Sequence, residues 1–344
     1  MRNNIFRSWM LASLICFWFP CDLRGTTMKF IELSCPVCNK RIAATVIPST
    51  NTFGGMDRDF MSRAAGAQPL LIFPITCTGC FYSGYRKDFE NEIKISEKVI
   101  IEIREKKILK PILAIQENVD YGEIPAWIRY DLIAQTYQLL QKKEDDIGQQ
   151  YIMAGWVIRL TRNILSKMDK ETAEKINKMI DSKWDKDAVV NENRADYETG
   201  LGRELALIGK RNEGEPRKLA AYAAISLLMA HGENGSVYEI LSMLKTVETE
   251  KKFLSFERAV KESIVLEQLF QAKAIPFMET AVQKEGDNIQ KGILMYECGE
   301  LHRRVGNWDK ARYFFELSER TPGLPEWLAR WVKEQKGLLP KLTP

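Results

Sequence analysis

Histidine is scarce in this chain of 344 residues, which contains only His231 and His302. Because histidine is the side chain that titrates closest to neutral pH, its scarcity removes most routes to general acid–base catalysis and to histidine-rich metal sites. The sequence also contains no glycine-rich phosphate loop, no G-x-S-x-G pattern and no H-E-x-x-H pattern. We therefore expect a protein that is not an enzyme.

The chain also lacks a strong excess of one charge sign and a long hydrophobic run. Lys and Arg number 50 against 46 Asp and Glu, a balance that argues against binding driven mainly by nucleic-acid phosphates. The apolar run at 9–19 is too short for a membrane span, which needs about 20 residues. A composition of 45% hydrophobic and 28% charged residues is typical of a globular protein, and the length suggests two domains.

Two C-x-x-C pairs are the most specific motif. Cys35 and Cys38 form the first pair, and Cys77 and Cys80 form the second. Each pair places two thiolates on one tight turn, and two such pairs supply the four corners of a tetrahedron around Zn²⁺. A closed set of four thiolates leaves no position for substrate, so the spacing predicts one structural zinc ion. Strand-like segments at 41–47 and 70–75 predict a small zinc ribbon over residues 28–90.

Two other functions of the ribbon were weighed. Basic residues only slightly outnumber acidic ones in it, so association with nucleic acid is an alternative with a weak charge footprint. The aromatic residues after the second pair favour packing beneath the metal over base stacking; they are Phe81, Tyr82, Tyr85 and Phe89. A thioredoxin-like redox function is disfavoured because neither cysteine pair opens a helix in a βαβ pattern.

Residues 1–27 form a leader with more than one interpretation. Arg2 and Arg7 precede the apolar run, which is the outline of a signal peptide, but no small-x-small cleavage pattern follows. The interpretation we favour is that translation starts at Met28. Four reduced zinc thiolates suit a reducing compartment, so a cytoplasmic location is expected, with export through residues 1–27 as the alternative. If residues 1–27 are translated, the alternatives are an exported or lipid-anchored helical-repeat protein or a reversible contact with the membrane.

The rest of the chain is predicted to be helical. Residues 91–123 form a connector, residues 124–337 a helical domain, and residues 338–344 a tail. Periodicity and turn residues place helices at 125–142, 146–167, 170–182, 186–212, 215–231, 236–246, 254–271, 274–285, 287–305, 308–320 and 324–337. The expected fold class is therefore mostly α, with a small N-terminal β ribbon.

One stretch of this domain, 295–322, resembles a tetratricopeptide (TPR) repeat. Gly299 stands where paired helices approach each other, and Ala311 and Phe315 are the small and large packing positions of the second helix. Trp327 and Trp331 then share one face of a capping helix at 325–337. Helical repeats present concave grooves, so a protein partner is expected, with groove positions at Ile293, Tyr296, Glu300 and Arg303.

Three further residues have structural interpretations. His302 occupies a packing position of the repeat, and His231 stands just before a helix-ending glycine, where a cation suits the helix dipole. Cys298 has no cysteine partner in the helical region and is expected to be a small buried side chain.

The sequence resembles one bacterial family. The resemblance lies in the two cysteine pairs, the phrase Asp57–Phe60, the segment Cys77–Phe89 and the TPR-like helices that follow. That family is known as a domain of unknown function with an N-terminal zinc ribbon, and the resemblance runs from Met28 to about residue 335. Thr78 replaces a proline that is usual in the second pair, but the ligands are kept. The resemblance implies an architecture and no activity. The function we expect is a zinc-binding scaffold or adaptor for a protein partner.

Overall fold

The structure is a computed structural model that describes residues 26–90, 95–115, 119–162, 164–185, 193–245 and 251–340. Within these residues the chain is mostly α-helical, with two small N-terminal sheets, as predicted. No helix among them combines the length and the apolar character that a membrane crossing requires. Nearly all of the predicted leader, the residues 186–192 of one predicted helix, and most of the predicted tail lie outside the described residues.

The N-terminal part consists of two β-hairpins. Strands β1 (Thr27–Ser34) and β2 (Arg41–Ser49) pair antiparallel, and the shorter strands β3 (Ile75–Thr76) and β4 (Ser83–Gly84) form the second pair. The strand predicted at 41–47 is confirmed. The strand predicted at 70–75 is wrong, because Pro69–Leu71 form a 3₁₀ turn and only Ile75 enters β3. Proline fixes its own φ and lacks an N–H, so Pro69 and Pro74 break the apolar run that suggested a strand.

Eleven α-helices are described in the remaining part. They are α1 (Glu97–Arg104), α2 (Ala126–Leu139), α3 (Glu144–Thr161), α4 (Lys170–Lys183), α5 (Arg194–Arg211), α6 (Gly214–Ala230), α7 (Asn234–Lys245), α8 (Lys251–Lys284), α9 (Asn288–Arg304), α10 (Trp308–Glu319) and α11 (Glu326–Gly337). The helices predicted at 254–271 and 274–285 are one continuous helix, α8, which accommodates Pro276 in its interior.

Helix α8 joins two hydrophobic cores. Its N-terminal half places Phe253, Phe256 and Val260 in a core shared with α5, α6 and α7. Its C-terminal half places Phe270 and Met278 in a core shared with α2, α3 and α9. Because one 34-residue helix contributes to both cores, the helical region is a single connected body.

The ribbon shares a third core with the first helices. Buried residues of the ribbon such as Ile42 and Tyr82 contact Ile103 of α1 and Ile128 of α2 in one cluster. The guanidinium of Arg129, which is buried, donates to the carbonyl oxygens of Ile124, Leu71 and Pro74, at 3.0, 2.7 and 2.5 Å. The segment predicted as a connector therefore completes the core of the ribbon, and among its described residues, 95–115 and 119–123, the α-helical part is 97–104.

The last helices pack as the sequence predicts. A Cβ atom on Gly299 would lie 2.5 Å from the ring of Phe315, so only glycine permits the approach of α9 and α10. Ala311, Phe315 and Cys298 are buried, and the rings of Trp327 and Trp331 meet at 5.1 Å. The packing at these positions is confirmed. The assignment of this pair of helices to a TPR repeat stays a prediction.

Candidate metal centre and buried ionic cluster

The two cysteine pairs adopt the same backbone turn. The N–H of Asn39 donates to the carbonyl of Cys35 at 2.9 Å, and the N–H of Phe81 donates to the carbonyl of Cys77 at 2.8 Å. Asn39 and Phe81 both have a φ of 61°, the left-handed conformation that reverses the chain after the second cysteine. The strain at Phe81 costs about 1–2 kcal/mol, so the surrounding contacts must hold it in place.

The four sulfur atoms converge on one point. Cys35 and Cys80 bring their Sγ atoms to 3.5 Å, Cys38 and Cys77 bring theirs to 3.4 Å, and all four lie within 4.8 Å of one another. A metal–sulfur distance of about 2.3 Å in a tetrahedron requires sulfur atoms about 3.8 Å apart. The donor set and its spacing therefore fit a metal ion held by Cys35, Cys38, Cys77 and Cys80, which the sequence predicted as ligands.

The closeness of the four thiols shows why a cation suits the site. Interaction with the Cys35 thiol lowers the pKa of Cys77, whereas interaction with the same thiol raises the pKa of Cys80. Four thiolates this close repel one another, so they ionise together only around a positive charge. Tyr82 is fully buried and meets Phe89 edge to face at 5.3 Å, which agrees with the predicted packing at these two positions. Tyr85 instead contacts α3, where its hydroxyl donates to Gln150 at 2.7 Å.

The long segment between the cysteine pairs forms an insertion that docks on the helices. We call residues 50–68 the inter-knuckle loop. Its tip is a turn closed by the N–H of Phe60, which donates to the carbonyl of Asp57 at 3.0 Å. Met61, immediately after the turn, is fully buried in the core of α2, α3 and α8. The loop thus connects the ribbon to the centre of the helical region.

The side chains of the Asp57–Phe60 turn contact three different parts of the helical region. The rings of Tyr296, Trp331 and Trp327 surround Phe60 at 5.3, 5.9 and 6.2 Å. Arg58 forms ion pairs with Asp196 of α5 at 3.0 Å and with Glu334 of α11 at 2.8 Å. Asp57 and Asp59 enter a buried ionic cluster.

Arg159 of α3 is the centre of this cluster and is fully buried. Its guanidinium donates to Asp57 at 2.9 Å, to Asp59 at 2.5 Å and to Glu267 at 2.9 Å. Burial opposes the charge of Arg159, but the carboxylates of Asp59 and Glu267 outweigh it and hold the pKa of the guanidinium well above its usual value. Further members surround this centre, namely Arg63, Arg162, Glu198, His231, Glu300 and Arg304.

His231 is held by two carboxylates. Its Nδ1 lies 2.7 Å from Asp57 Oδ1 and its Nε2 lies 2.8 Å from Glu198 Oε2. Both acceptors are satisfied only when both ring nitrogens carry a proton. Burial disfavours the charged ring, but Asp57 outweighs it and raises the pKa of His231 above its usual value. The sequence correctly placed His231 at the end of a helix, but its main contacts are these carboxylates.

A cleft of about 410 Å³ opens beside this cluster. It lies between α5 and α11, and His231 and Asp57 form part of its wall. A second cleft of about 330 Å³ adjoins it, since Glu233 and Leu338 line both. Together they form a groove between α5–α7 and the C-terminal helices, with Arg203, Trp308 and Leu338 exposed along it.

The predicted groove residues of α9 have a different placement. Tyr296 is fully buried and donates its hydroxyl to the carbonyl of Arg58 at 2.6 Å, and Glu300 is buried against Arg303 and Arg304. Ile293 is half-buried against the core of α10 and α11. Only Arg303 lines the groove. The prediction that all four face a partner is therefore corrected, because the turn of the inter-knuckle loop and neighbouring side chains cover three of them.

Sequence reasoning missed the ionic cluster. In the sequence, Asp57–Phe60 stands out only through the family resemblance, and its charges enter only the charge balance of the ribbon. The local sequence offers one sign of a docked turn. Two acidic residues flank Arg58 and Phe60 follows them, in a segment between the cysteine pairs that is longer than the usual zinc-finger spacing. The partners stand far away along the chain, at Arg159, His231, Glu267 and Arg304.

Comparison with known proteins identifies a family for the chain. The model of a family described as an uncharacterized protein conserved in bacteria, DUF2225, matches residues 31–264. That range includes the four cysteines, the inter-knuckle loop, Arg159 and His231, and it ends within α8 before the C-terminal helices. No curated protein and no solved structure matches the chain. Since the match covers more than half of the sequence, the chain belongs to this bacterial DUF2225 family.

Proposed function

We propose that the protein is a non-enzymatic scaffold that zinc stabilises and that binds a segment of a partner protein in the groove between α5–α7 and α9–α11. The convergence of four sulfur atoms within 4.8 Å supports the metal. The two adjoining clefts support the partner site. The inter-knuckle loop connects the two, because it runs from the metal ribbon to the wall of the groove.

Zinc is the metal that we propose for the four-cysteine site. A tetrahedron of thiolates also suits iron, but zinc is the common occupant of closed structural sites. We expect one zinc ion per purified chain and its loss in Cys38→Ser. Cys298→Ala is the matched control, because this cysteine is buried in the helical core. Less than about one zinc per two chains, or equal zinc loss in both variants, contradicts the proposal.

The groove has properties that suit an extended protein segment. Trp308 and Leu338 offer apolar surface, being 42% and 47% exposed, and Arg203 offers a half-exposed cation. Exposed aromatic, aliphatic and arginine side chains are those that dominate protein interfaces. Charges at the floor of the groove, such as those of His231 and Asp57, are paired within the protein, so a partner meets a preformed surface there.

Site-specific crosslinking tests the groove. A photoreactive residue at Trp308 should capture a partner, and the same residue at Tyr313, exposed on the same helix outside the groove, should not. The captured protein is then purified and titrated against Arg203→Glu and against the exposed control Lys178→Glu. We expect Arg203→Glu to weaken binding at least about tenfold. Equal capture at both positions, or equal affinity of both variants, refutes this groove as the site.

A second candidate function is contact with single-stranded nucleic acid through the ribbon. A cleft of about 410 Å³ there is lined by Phe73 and Tyr85 beside Arg86 and Lys87. Aromatic rings next to cations suit base stacking with phosphate contact. A salt-dependent shift of RNA that Arg86→Glu abolishes supports this function, and no binding at low salt removes it.

A further inference from the structure

The cleft of about 330 Å³ contains the N-terminus of α7. Helix α6 ends in a turn in which Gly232 has a φ of 72° and the N–H of Glu233 donates to the carbonyl of Leu228 at 2.9 Å. Helix α7 then starts at Asn234. The first N–H groups of a helix have no acceptor within it and carry partial positive charge. A Cβ atom on Gly235 would meet no other atom within 4 Å, so the first turn of α7 is open on that side, and Gly235 lines the cleft.

A buried polar side chain lines the same cleft without a partner. Asn234 is 5% exposed, and neither its Oδ1 nor its Nδ2 forms a hydrogen bond within the described residues. Nη2 of Arg304, which is 4% exposed, also forms no hydrogen bond there, and Asp59 Oδ2 lies 3.6 Å from it. Arg304 Nη2 therefore faces a counter-charge inside the ionic cluster. Buried polar groups are normally satisfied, so the amide of Asn234 is the group on this cleft that points to a ligand supplying its partners.

The charges around the cleft are mixed. Arg303 and Arg304 contribute positive charge, part of which is paired with the carboxylate of Glu300, while Glu233 and Glu239 contribute negative charge. Glu233 is already neutralised in part, because Arg203 lies 3.5 Å from its carboxylate. Ser236, in the first turn of α7, adds a hydroxyl to the lining. Helix N–H groups, an amide, a hydroxyl and guanidinium groups are together the donors that bind a tetrahedral oxyanion.

We propose that the N-terminus of α7, with Asn234, Ser236, Arg303 and Arg304, is a binding site for a phosphoryl group. The group is either free phosphate or the phosphate of a phosphorylated side chain that lies in the adjoining groove. Only the second source rests on the proposed function, because binding of phosphate to the purified protein requires no partner.

The test is a titration of the purified protein with inorganic phosphate at constant ionic strength. Calorimetry gives the dissociation constant, and the backbone amide resonance of Gly235 reports the place of binding. We expect Asn234→Asp to weaken phosphate binding at least about tenfold, because it replaces a donor by a negative charge. Asn288→Asp is the matched control, since it adds the same charge in the first turn of α9, where Asn288 is exposed.

Ser236→Ala, which removes only a hydroxyl, is the second variant and should weaken binding several-fold without changing the thermal transition. Equal affinity of the protein and all three variants, or an equal response of Gly235 to chloride, overturns the proposal. A parallel titration with N-acetylphosphoserine amide separates the sources. Tighter binding of this probe indicates a phosphorylated side chain, and equal or weaker binding indicates free phosphate.

Discussion

At the scale of single residues, the Asp57–Phe60 turn shows how buried charge is tolerated. Burial opposes the ionisation of Asp57, but Arg63 and His231 outweigh it and hold the pKa of the carboxyl well below its usual value. Each of its oxygens has a cationic partner, with His231 at 2.7 Å and Arg159 at 2.9 Å. A buried carboxylate in this position is stable only when its cationic partners are buried with it.

The first prediction concerns pH. Because the folded pKa of His231 is raised above 6.5, its contribution to stability is complete below that pH and is lost as the pH rises through the folded value. The free energy of unfolding, measured with urea, should therefore fall from about pH 6.5 upward. In His231→Gln, which keeps a hydrogen-bonding side chain but cannot ionise, this fall should be absent. A slope as steep in the variant as in the natural protein refutes the charged histidine.

The second prediction concerns Asp57→Asn. The change removes one negative charge among Arg63, Arg159 and His231 while keeping the shape of the side chain. Leaving buried cations without a partner costs about 3–5 kcal/mol, so the urea midpoint should fall strongly. Glu123→Gln, an exposed control, should change the free energy of unfolding by no more than about 0.5 kcal/mol. Similar effects of both changes would show that the cluster does not stabilise the fold.

At the scale of elements, α8 and the inter-knuckle loop have lengths that local patterns do not explain. The break predicted between 271 and 274 is absent, because packing of α8 against α3 and α9 keeps the helix continuous through Pro276. The loop is long because it carries the docked turn as well as the connection between the metal ligands. In both elements tertiary contacts, and not the helix-breaking or turn-forming preference of nearby residues, set the length.

The third prediction tests the helix. Pro276 lacks an N–H, so the carbonyl of Ala272 has no partner four residues ahead in the helix. Pro276→Ala restores that hydrogen bond in a helix that is already continuous. We expect an increase of about 1–3 kcal/mol in the free energy of unfolding, measured by urea titration with circular dichroism. A decrease would mean that the local geometry of α8 at Pro276 is required for the packing of its neighbours.

At the scale of the whole molecule, the ribbon and the helical region are joined by buried contacts. They share the core around Ile103 and Ile128, the contacts of Arg129 with Leu71 and Pro74, and the cluster around Arg159. Loss of the ribbon would therefore expose apolar surface on α2 and leave Arg159 without two of its carboxylates.

The fourth prediction follows from this connection. Removal of the metal by a chelator should lower the melting temperature of the helical circular-dichroism band, because metal binding contributes to folding and the cores are shared. The single transition should stay single, and re-addition of zinc should restore it. Cys298→Ala should respond to the chelator like the natural protein. A helical transition that is the same with and without metal would show that the ribbon folds independently.

The sequence by itself determined the four-cysteine cluster that could hold a metal, the helical class and the packing of the C-terminal helix pair. These features depend on short spacings, since C-x-x-C turns, helical periodicity and the placement of Gly299 against Phe315 are set by nearby residues. Only the tertiary structure decided where the charges lie. No local pattern predicts the burial of Arg159, Glu267 or Arg304, and His231 is predicted only as a helix-end residue. The reason is that a charge is buried only when distant segments bring its counter-charges with them. The turn at Asp57–Phe60 supplies two of those counter-charges, and no local pattern records that requirement.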